Sequence, residues 1–292
     1  MLLRSIFTIF LLYISVLECA GKSVQVDENF ETSGNAIETT SENSGASSQS
    51  QQLELVALRE QLNEMLAKLN EMNEKVGNLT SLLHNSCSEM PNRSGIQQIR
   101  IPEYSQQPFK VLCRKSKLSG GWTTVLVRKD GSVDFYRFWE HYKSGFGNLT
   151  GEFFIGLDKL HHLTKDGDQE LLIEMEDFEG DERHAKYNEF VVGSEEEDYK
   201  LITVGKYSGD AGDDLRYHEG EKFTTRDRDN DASADNCAET SRGAWWYGDC
   251  HDSNLMGAYN ETQYAKGINW VEFTSRDSSL KAVRMMIRTK TD

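Results

Sequence analysis

A stripe of apolar residues recurs every seven positions between residues 53 and 86. One series is Leu55, Leu62, Leu69, Val76 and Leu83, and its first four members are each followed three residues later by Leu58, Met65, Met72 and Leu79. This spacing, with Glu and Lys between, is typical of helices that wind around one another. It predicts a parallel coiled coil over 53–86 and hence a homo-oligomer. Leu and Met leave dimer and trimer open, and a single amphipathic helix packed on its own domain is the alternative.

Short apolar runs replace the heptads from Cys87 onward and predict strands. Apolar residues cluster or alternate with polar ones in KVLC (110–113), TTVLVR (123–128), LLIEME (171–176) and KAVRMMIRT (281–289). A hairpin across an acidic turn is predicted for EFVVG (189–193) and YKLITVG (199–205). Aromatic residues at helical spacing predict a helix within 135–147, ended by glycines. Beyond about residue 205 the alternation fades, which predicts a loop-rich subdomain.

The first fifty residues read as targeting and spacer segments. Arg4 precedes an apolar run from Ile6 to Leu17, followed by small residues near Cys19. That run is shorter than the roughly 20 residues of a membrane span, so residues 1–20 are predicted to be a signal peptide, with a signal anchor as the alternative. Residues 21–52 are polar and predict a disordered spacer. The mature protein is therefore expected to be secreted and extracellular, without a membrane span.

Charge and motif content narrow the possible functions. The 292 residues include 48 acidic and 32 basic side chains, for a formal net charge of −16. Such an acidic chain is not expected to bind nucleic acid or anionic membranes, which attract basic surfaces. The sequence contains none of the metalloprotease, serine-hydrolase or P-loop motifs. We therefore expect a binding protein and not an enzyme.

Several ordered blocks resemble fibrinogen-related domains. They are GGWTTVLVRKDGSVDFYRFWEHYKSGFGNLTGEFFIGLDKLHHLT (120–164), DRDNDASADNCAETSRGAWWYGDCHDSNLMGAY (227–259), GINW (267–270) and KAVRMMIR (281–288). The resemblance covers residues 87–292. It implies an α+β fold, in which a twisted, mainly antiparallel sheet carries a loop-rich calcium-binding subdomain, preceded here by the coiled-coil helix. Invertebrate ficolin-type and tachylectin-type lectins and angiopoietin-like proteins share this domain.

Cysteines and sequons fit a secreted chain. Cys19 leaves with the signal peptide, and the other four cysteines allow three pairings. Sequence proximity favours Cys87–Cys113 and Cys237–Cys250, and the family's pattern implies the same pairs. Four sequons predict surface positions and possible glycans, at Asn78, Asn92, Asn148 and Asn260.

A calcium site is predicted just before Cys237. Asp229 and Asp231 are two residues apart in an irregular turn, and Ca²⁺ takes oxygen ligands from carboxylates and backbone carbonyls. The resemblance implies that the carbonyls of Ser233 and Asp235 complete the set with water, and that Asp227 supports the loop from outside. An EF-hand beginning at Asp227 is excluded, because alanine occupies the positions of its glycine and its bidentate glutamate.

The resemblance also implies a ligand pocket. In acetyl-binding members, a methyl-sized apolar cup has a hydrogen-bonding rim. The matching residues here are His251 and Tyr264 as rim and Ala265 as floor, with Trp245–Trp246 as a packed wall and a cis bond at Asp249–Cys250. Ser241 is also predicted to contact the ligand. It stands where those lectins carry a tyrosine, and Arg276 roughly where another aromatic residue can stand, so one wall is expected to be thinner.

Fibrin-type pockets instead carry aspartates at the positions of Ala265 and, nearby, Ser241, so a cationic peptide end lacks its charge partners here. The expected partners are acetylated glycans recognised in innate immunity. A cell-surface receptor, bound by an angiopoietin-like signalling ligand, and a matrix or clotting role remain open.

Overall fold

The computed structural model describes residues 45–80, 84–117 and 119–290, with side chains described from 53 to 74 in the first of these ranges. The chain divides into two units, Met1–Glu71 and Met72–Asp292. Within these described ranges, no helix has both the length and the apolar character needed to cross a bilayer. The predicted signal peptide lies outside the described residues, as does the predicted spacer up to residue 44.

Helix α1 (Gly45–Thr80) carries the predicted heptads. It begins before the predicted start at residue 53, because serine and glutamine continue a helix at modest cost. Its apolar seam is open to solvent, with Leu55, Leu62 and Met72 exposed by 60%, 41% and 63%. An apolar stripe of this kind on a long helix needs a partner. The coiled coil remains a prediction, and the side chains of its last heptad lie outside the described residues.

The second unit is organised around an antiparallel sheet. Its strands in the described residues are β1 (Gly95–Ile99), β2 (Phe109–Arg114), β3 (Trp122–Arg128), β4 (Phe146–Gly147), β5 (Phe153–Phe154), β6 (Gln169–Glu176), β7 (Glu182–Tyr187), β8 (Val191–Val192), β9 (Leu201–Thr203), β10 (Tyr207–Gly209), β11 (Ser253–Asn254), β12 (Asn269–Trp270) and β13 (Ala282–Thr289). The main sheet has the order β1-β2-β3-β13-β6-β7-β10, with β5 beside β3 and β4 beside β5. Two further pairs are β8–β9 and β11–β12. The four predicted strands and the predicted hairpin are confirmed.

The centre of the sheet is buried on both faces. Every residue of β3 is buried, since β2 and β13 cover its edges and side chains pack above and below it. One face meets the main core, and the other carries small apolar clusters, such as Trp122 with Leu172 and Met286. The last of these strands, β13, lies inside the sheet, where it pairs with β3 on one side and β6 on the other.

The predicted helix within 135–147 exists and ends at a glycine as predicted, but it starts later than the aromatic spacing suggested. Helix α2 spans only Trp139–Ser144. It starts late because Asp134 Oδ1 accepts the Tyr136 amide, while Asp227 Oδ1 accepts the Trp139 amide at 2.9 Å. It ends at Gly145, which has a φ of +89° and approaches Ile155 so closely that a Cβ would lie 2.4 Å from its carbonyl oxygen. The sequence reading also missed helix α3 (Leu157–Thr164).

Two disulfides fasten the globe, and both predicted pairings are confirmed. Cys87–Cys113 joins a 3₁₀ turn to β2. Cys237–Cys250 joins the start of helix α4 (Cys237–Thr240) to the segment that leads into β11. The second bridge closes a loop of 13 residues beside the predicted calcium turn.

A buried ion pair joins the sheet to the loop-rich region. Arg128 and Glu152 are 1% and 0% exposed, and Arg128 Nε lies 3.8 Å from Glu152 Oε1. Arg128 Nη1 donates to the carbonyls of Leu255 and Gly257 at 3.1 and 2.8 Å. Burial lowers the pKa of Arg128 to about 10, so it stays charged. Glu152 accepts backbone amides of Lys129, Asp130, Gly131 and Val133.

Candidate recognition site beside a carboxylate loop

The turn after residue 228 folds around the side chain of Asp231. Its Oδ1 accepts the amide of Ser233 at 3.1 Å, and its Oδ2 accepts the amide of Cys237 at 3.0 Å. Asp229 Oδ1 lies 3.4 Å from the Asp231 amide nitrogen. The turn therefore gathers the two carboxylates that the sequence singled out.

The electrostatics of this turn favour a cation. Burial, with a smaller contribution from the neighbouring Asp229 carboxylate, raises the pKa of Asp231 to about 6. No lysine or arginine of the described residues pairs with either carboxylate. The carbonyls of Ser233 and Asp235 likewise accept no hydrogen bond within the described part of the chain. These are the oxygen types that Ca²⁺ prefers, so the residues present fit a calcium ion.

No group of three or more His, Cys, Asp and Glu side chains suited to a metal occurs among the described residues. A cation in this turn would therefore need backbone carbonyls and water besides the two carboxylates. Asp227 faces elsewhere. Its Oδ1 accepts hydrogen bonds from the Trp139 amide and, at 2.7 Å, from the Thr225 hydroxyl, which ties α2 to the loop.

The segment at the second cysteine presents two unpaired amides. The Asp249–Cys250 peptide bond is cis, as the resemblance implies. The amides of Cys250 and His251 donate to no acceptor within the described ranges. Because buried amides are almost always paired, these two N–H groups are available to water or to a ligand.

His251 is buried and neutral. It is 4% exposed, and its Nε2 lies 3.0 Å from the Ala265 carbonyl. A carbonyl only accepts, so the hydrogen is assigned to Nε2, which leaves Nδ1 as a bare acceptor with no partner in the described structure. Burial lowers the pKa of His251 to about 4, and the nearby positive charge of Arg276 adds to the effect.

Tyr264 lies on a closed loop and faces solvent. The Ala258 amide donates to the Lys266 carbonyl at 2.9 Å, which closes the loop at its base. The closure needs glycine, since a Cβ on Gly257 would lie 2.1 Å from the Gly267 carbonyl oxygen. Tyr264 is 65% exposed, and its hydroxyl has no partner in the described part of the chain. The structure thus brings Tyr264, Ala265 and His251 together.

Ser241 and the tryptophan pair lie beneath this surface. Ser241 is 2% exposed, and its carbonyl accepts a hydrogen bond from Asn254 Nδ2 at 3.1 Å. A buried Ser241 does not reach a ligand, so its predicted contact role is not carried further. Trp245 and Trp246 are fully buried with ring centroids 5.0 Å apart. They support the site without lining it.

Two further residues brace the site, and one of them has no sequence signal. Arg276 Nη2 donates to the His251 carbonyl at 3.0 Å and pairs with Asp252 at 2.5 Å, while its own carbonyl accepts the Ala265 amide at 2.7 Å. It therefore holds both sides of the candidate pocket. Tyr217 is the residue that sequence reasoning missed, and its hydroxyl accepts the Asp249 amide at 3.0 Å.

A separate groove lies on the outer face of the main sheet. It measures about 360 Å³ and includes residues of β6, β7 and β13, but none of the predicted site residues. Its charges largely satisfy one another, as in the Arg284–Glu174 and Lys117–Glu182 pairs. The groove contains neither the unpaired amides of Cys250 and His251 nor the exposed Tyr264, so the candidate recognition site is the separate 249–265 surface.

An antiparallel sheet that receives the last strand, two short-range disulfides and a carboxylate turn beside the second bridge define a fibrinogen-like globe. The chain belongs to the family of this domain. The family model described as "Fibrinogen beta and gamma chains, C-terminal globular domain" matches residues 84–290.

Curated relatives match over the globe. Fibrinogen C domain-containing protein 1-A of Xenopus laevis is 47% identical over 195 residues, covering 64% of this chain and 43% of that protein. The human Fibrinogen C domain-containing protein 1 is 46% identical over 195 residues, covering 64% and 42%. Tenascin-R of Gallus gallus is 43% identical over 195 residues, covering 67% and 14%. The chain therefore spans less than half the length of these relatives.

Solved structures give the same fold. The fibrinogen-like globe domain of human ANGPTL6 has a TM-score of 0.68 and 38% identity, covering 72% of this chain and 96% of that one. The corresponding domain of human ANGPTL2 has a TM-score of 0.68 and 40% identity, covering 71% and 100%. Lamprey fibrin D-dimer, complexed with the peptide ligand Gly-His-Arg-Pro-amide, has a TM-score of 0.65 and 28% identity, covering 85% and 91%.

Proposed function

We propose that this chain is a secreted, calcium-dependent recognition protein of innate immunity that binds acetylated carbohydrates through an oligomer of fibrinogen-like domains. Domains of this family are generally binding modules. The observation that carries the proposal is that His251 and Arg276 bind the backbone of Ala265, which sets this alanine and the exposed Tyr264 next to a segment with two unpaired backbone amides. An acetamide group requires all of these: donors for its carbonyl, a polar rim for its N–H, and an apolar floor for its methyl group.

Each requirement has a named group. The amides of Cys250 and His251 are free to donate to the acetyl carbonyl. The Tyr264 hydroxyl is free to accept from the acetamide N–H. The side chain of Ala265 supplies the small apolar floor, and His251 holds that residue through its carbonyl. A neutral His251 adds no charge, which suits an uncharged ligand.

Calcium has a structural role in this proposal. Asp229 and Asp231, with the carbonyls of Ser233 and Asp235, would hold the ion, and the ion would fix the turn that runs into Cys237. The disulfide to Cys250 then connects that turn to the ligand-facing amides. The ion stabilises the pocket from outside and does not contact ligand.

A signalling ligand for a cell-surface receptor is the second candidate. The structural similarity to the globe domains of ANGPTL6 and ANGPTL2 favours it. A cationic peptide end, as in the fibrin complex, is disfavoured because Ala265 and Ser241 supply no carboxylate. A matrix or clotting component is the third candidate and has no specific support from the site.

Affinity chromatography on an acetylated matrix tests the proposal. The full chain with calcium should be retained, free N-acetylglucosamine should elute it, and Tyr264→Ala should pass through. Phe178→Ala is the matched control, because it removes another exposed aromatic ring, 46% exposed, outside the site. Equal retention on acetylated and non-acetylated matrix would favour the receptor-ligand role.

A further inference from the structure

Two guanidinium groups share one aromatic ring on a surface that the proposed pocket does not use. The Arg226 guanidinium carbon lies 4.3 Å from the Tyr136 ring centroid and 4.7 Å from that of Phe138. The Arg242 guanidinium carbon lies 5.9 Å from the same Tyr136 centroid. We call these four residues the arginine–aromatic patch.

The charges of the patch are uncompensated. Neither Arg226 nor Arg242 forms an ion pair with a carboxylate of the described residues. Arg228, two residues after Arg226, differs in this respect. It also stacks on a ring, that of Trp139 at 3.9 Å, but its charge is paired with Asp198 at 2.5 Å. Two unpaired positive charges beside one ring form a local positive surface that attracts anions, although the whole chain has a net charge of −16.

The patch is held in place before any ligand arrives. Arg226 lies in the tight turn between Thr225 and Arg228, whose amides each donate to the other's carbonyl at 3.0 and 3.1 Å. Its guanidinium is packed between two rings, which reduces the side-chain entropy lost on binding. Arg242 follows α4 with a φ of +55° and is exposed, and Phe138 remains 46% exposed.

We propose that the arginine–aromatic patch binds a sulfated polysaccharide. Guanidinium groups form paired hydrogen bonds with the oxygens of planar or tetrahedral oxyanions. Sulfate groups stay ionised at neutral pH, and the C–H faces of a sugar ring can pack against the exposed Phe138. A polysaccharide that carries both groups on one chain matches the pairing of cation and aromatic surface better than an acidic peptide, whose carboxylates lie on flexible side chains.

The negative net charge sets the character of this binding. Exposed charges are screened beyond about 8 Å at physiological ionic strength, so acidic residues farther away than this repel a polyanion weakly. The carboxylate nearest in sequence, that of Asp227, accepts hydrogen bonds from the Trp139 amide and the Thr225 hydroxyl. Attraction then depends on sulfates placed directly on the patch, and binding should weaken steeply as salt rises. None of the four patch residues is assigned to the acetyl pocket, so separate variants test the two proposals.

The test uses the full chain with calcium and immobilised heparin, with completely desulfated heparin as the matched probe. Arg242→Asn removes one charge and suits the positive φ, which asparagine tolerates. Arg183→Gln is the control, because it removes another ring-stacked arginine, 4.5 Å from the Phe273 centroid, on β7. We expect Arg242→Asn to weaken heparin binding about fivefold or more, and Arg183→Gln to change it less than about twofold. Equal melting temperatures would show that both variants fold.

Several results would overturn the proposal. Equal binding to sulfated and desulfated heparin would exclude sulfate recognition. Loss of heparin binding in Tyr264→Ala, or elution by free N-acetylglucosamine, would move the interaction to the acetyl pocket. Equal binding of a DNA duplex would make the patch a general polyanion surface. Equal weakening by Arg183→Gln and Arg242→Asn would reduce the effect to net charge alone.

Discussion

The carboxylate of Glu152 is fully buried and accepts four backbone amides. These four hydrogen bonds fix the turn after β3. Arg128, the partner of Glu152, fixes the second loop by donating to the carbonyls of Leu255 and Gly257. A charge in this position is tolerated because hydrogen bonds replace the water it has lost. The pair therefore orients the loop-rich half of the globe against the sheet.

Glu152→Gln should strongly destabilise the globe. The amide cannot accept hydrogen bonds on both of its ends, and Arg128 would remain buried without a counter-charge. We expect the free energy of unfolding to fall by about 3 kcal/mol or more, measured by denaturant titration. Glu182→Gln, which breaks only the exposed pair with Lys117, should cost less than about 1 kcal/mol. A small loss for Glu152→Gln would contradict the role assigned to the pair.

The buried carboxyl group of Asp214 has a raised pKa. It is 4% exposed, and its Oδ2 accepts the Glu272 amide at 2.9 Å. Burial, with smaller contributions from the nearby charges of Glu272 and Asp252, raises its pKa to about 7. The folded state thus holds a proton that the unfolded chain releases near its ordinary pKa of 3.8. The stability contributed by this proton is present below that value and is lost as pH rises towards 7.

Asp214→Asn should remove this dependence, because asparagine can still accept the Glu272 amide without titrating. The free energy of unfolding of the variant, relative to wild type, should increase by about 2 to 3 kcal/mol between pH 5 and pH 8. Asp130→Asn is the control, since hydrogen bonds lower the pKa of that exposed carboxyl and keep it ionised throughout the range. A difference that stays constant with pH for Asp214→Asn would contradict the shift.

Part of the site could be predicted from single residues, and part could not. Residue type and spacing were enough to identify Asp229, Asp231 and the four cysteines. Tyr217 carries no such signal, because it acts through the backbone amide of Asp249, 32 residues further along the chain. The burial of Ser241 was equally invisible, since it depends on the packing of Asn254 across the loop.

At the scale of elements, alternation identified the strands with a buried face, and two-residue strands such as β4 and β5 carry too little pattern to detect. Helix α2 was predicted too long for a similar reason. Its aromatic residues have helical spacing from Tyr136 onward, but Asp227, far along the chain, sets where the helix begins. Local pattern therefore predicts which elements exist better than it predicts where they end.

The carboxylate turn gives a prediction at this scale. Calcium should raise the melting temperature of the wild-type chain, and Asp229→Ala should abolish that rise, because one of two ligand carboxylates is lost. Asp235→Ala is a matched control, since only its backbone carbonyl is expected to bind the ion. Differential scanning calorimetry with calcium and with chelator measures both. An unchanged calcium response in Asp229→Ala, or a lost response in Asp235→Ala, would contradict the ligand set.

For the whole molecule, the open seam of α1 predicts self-association. Leu62→Asp with Leu69→Asp should convert the proposed dimer or trimer into a monomer, because charges at seam positions prevent close packing of helices. Val56→Asp is the control, as Val56 is exposed on the same helix but lies outside the heptad series. Sedimentation equilibrium distinguishes the forms. A wild-type chain that is monomeric at micromolar concentration would contradict the coiled coil.

Oligomerisation would strengthen the proposed recognition, because a single shallow pocket is expected to bind weakly. Linking sites raises the overall affinity by about 10²-fold or more without any new contact. Linkage multiplies whatever a single pocket recognises, and the most specific contact proposed for that pocket is the one with the acetyl methyl group.

Saturation-transfer NMR tests that claim directly, with free N-acetylglucosamine and the full chain in calcium. We predict that the acetyl methyl protons receive the strongest saturation, and that this signal disappears in Tyr264→Ala and persists in Phe178→Ala. Saturation spread evenly over the sugar ring, or a methyl signal that Tyr264→Ala leaves unchanged, would contradict the account.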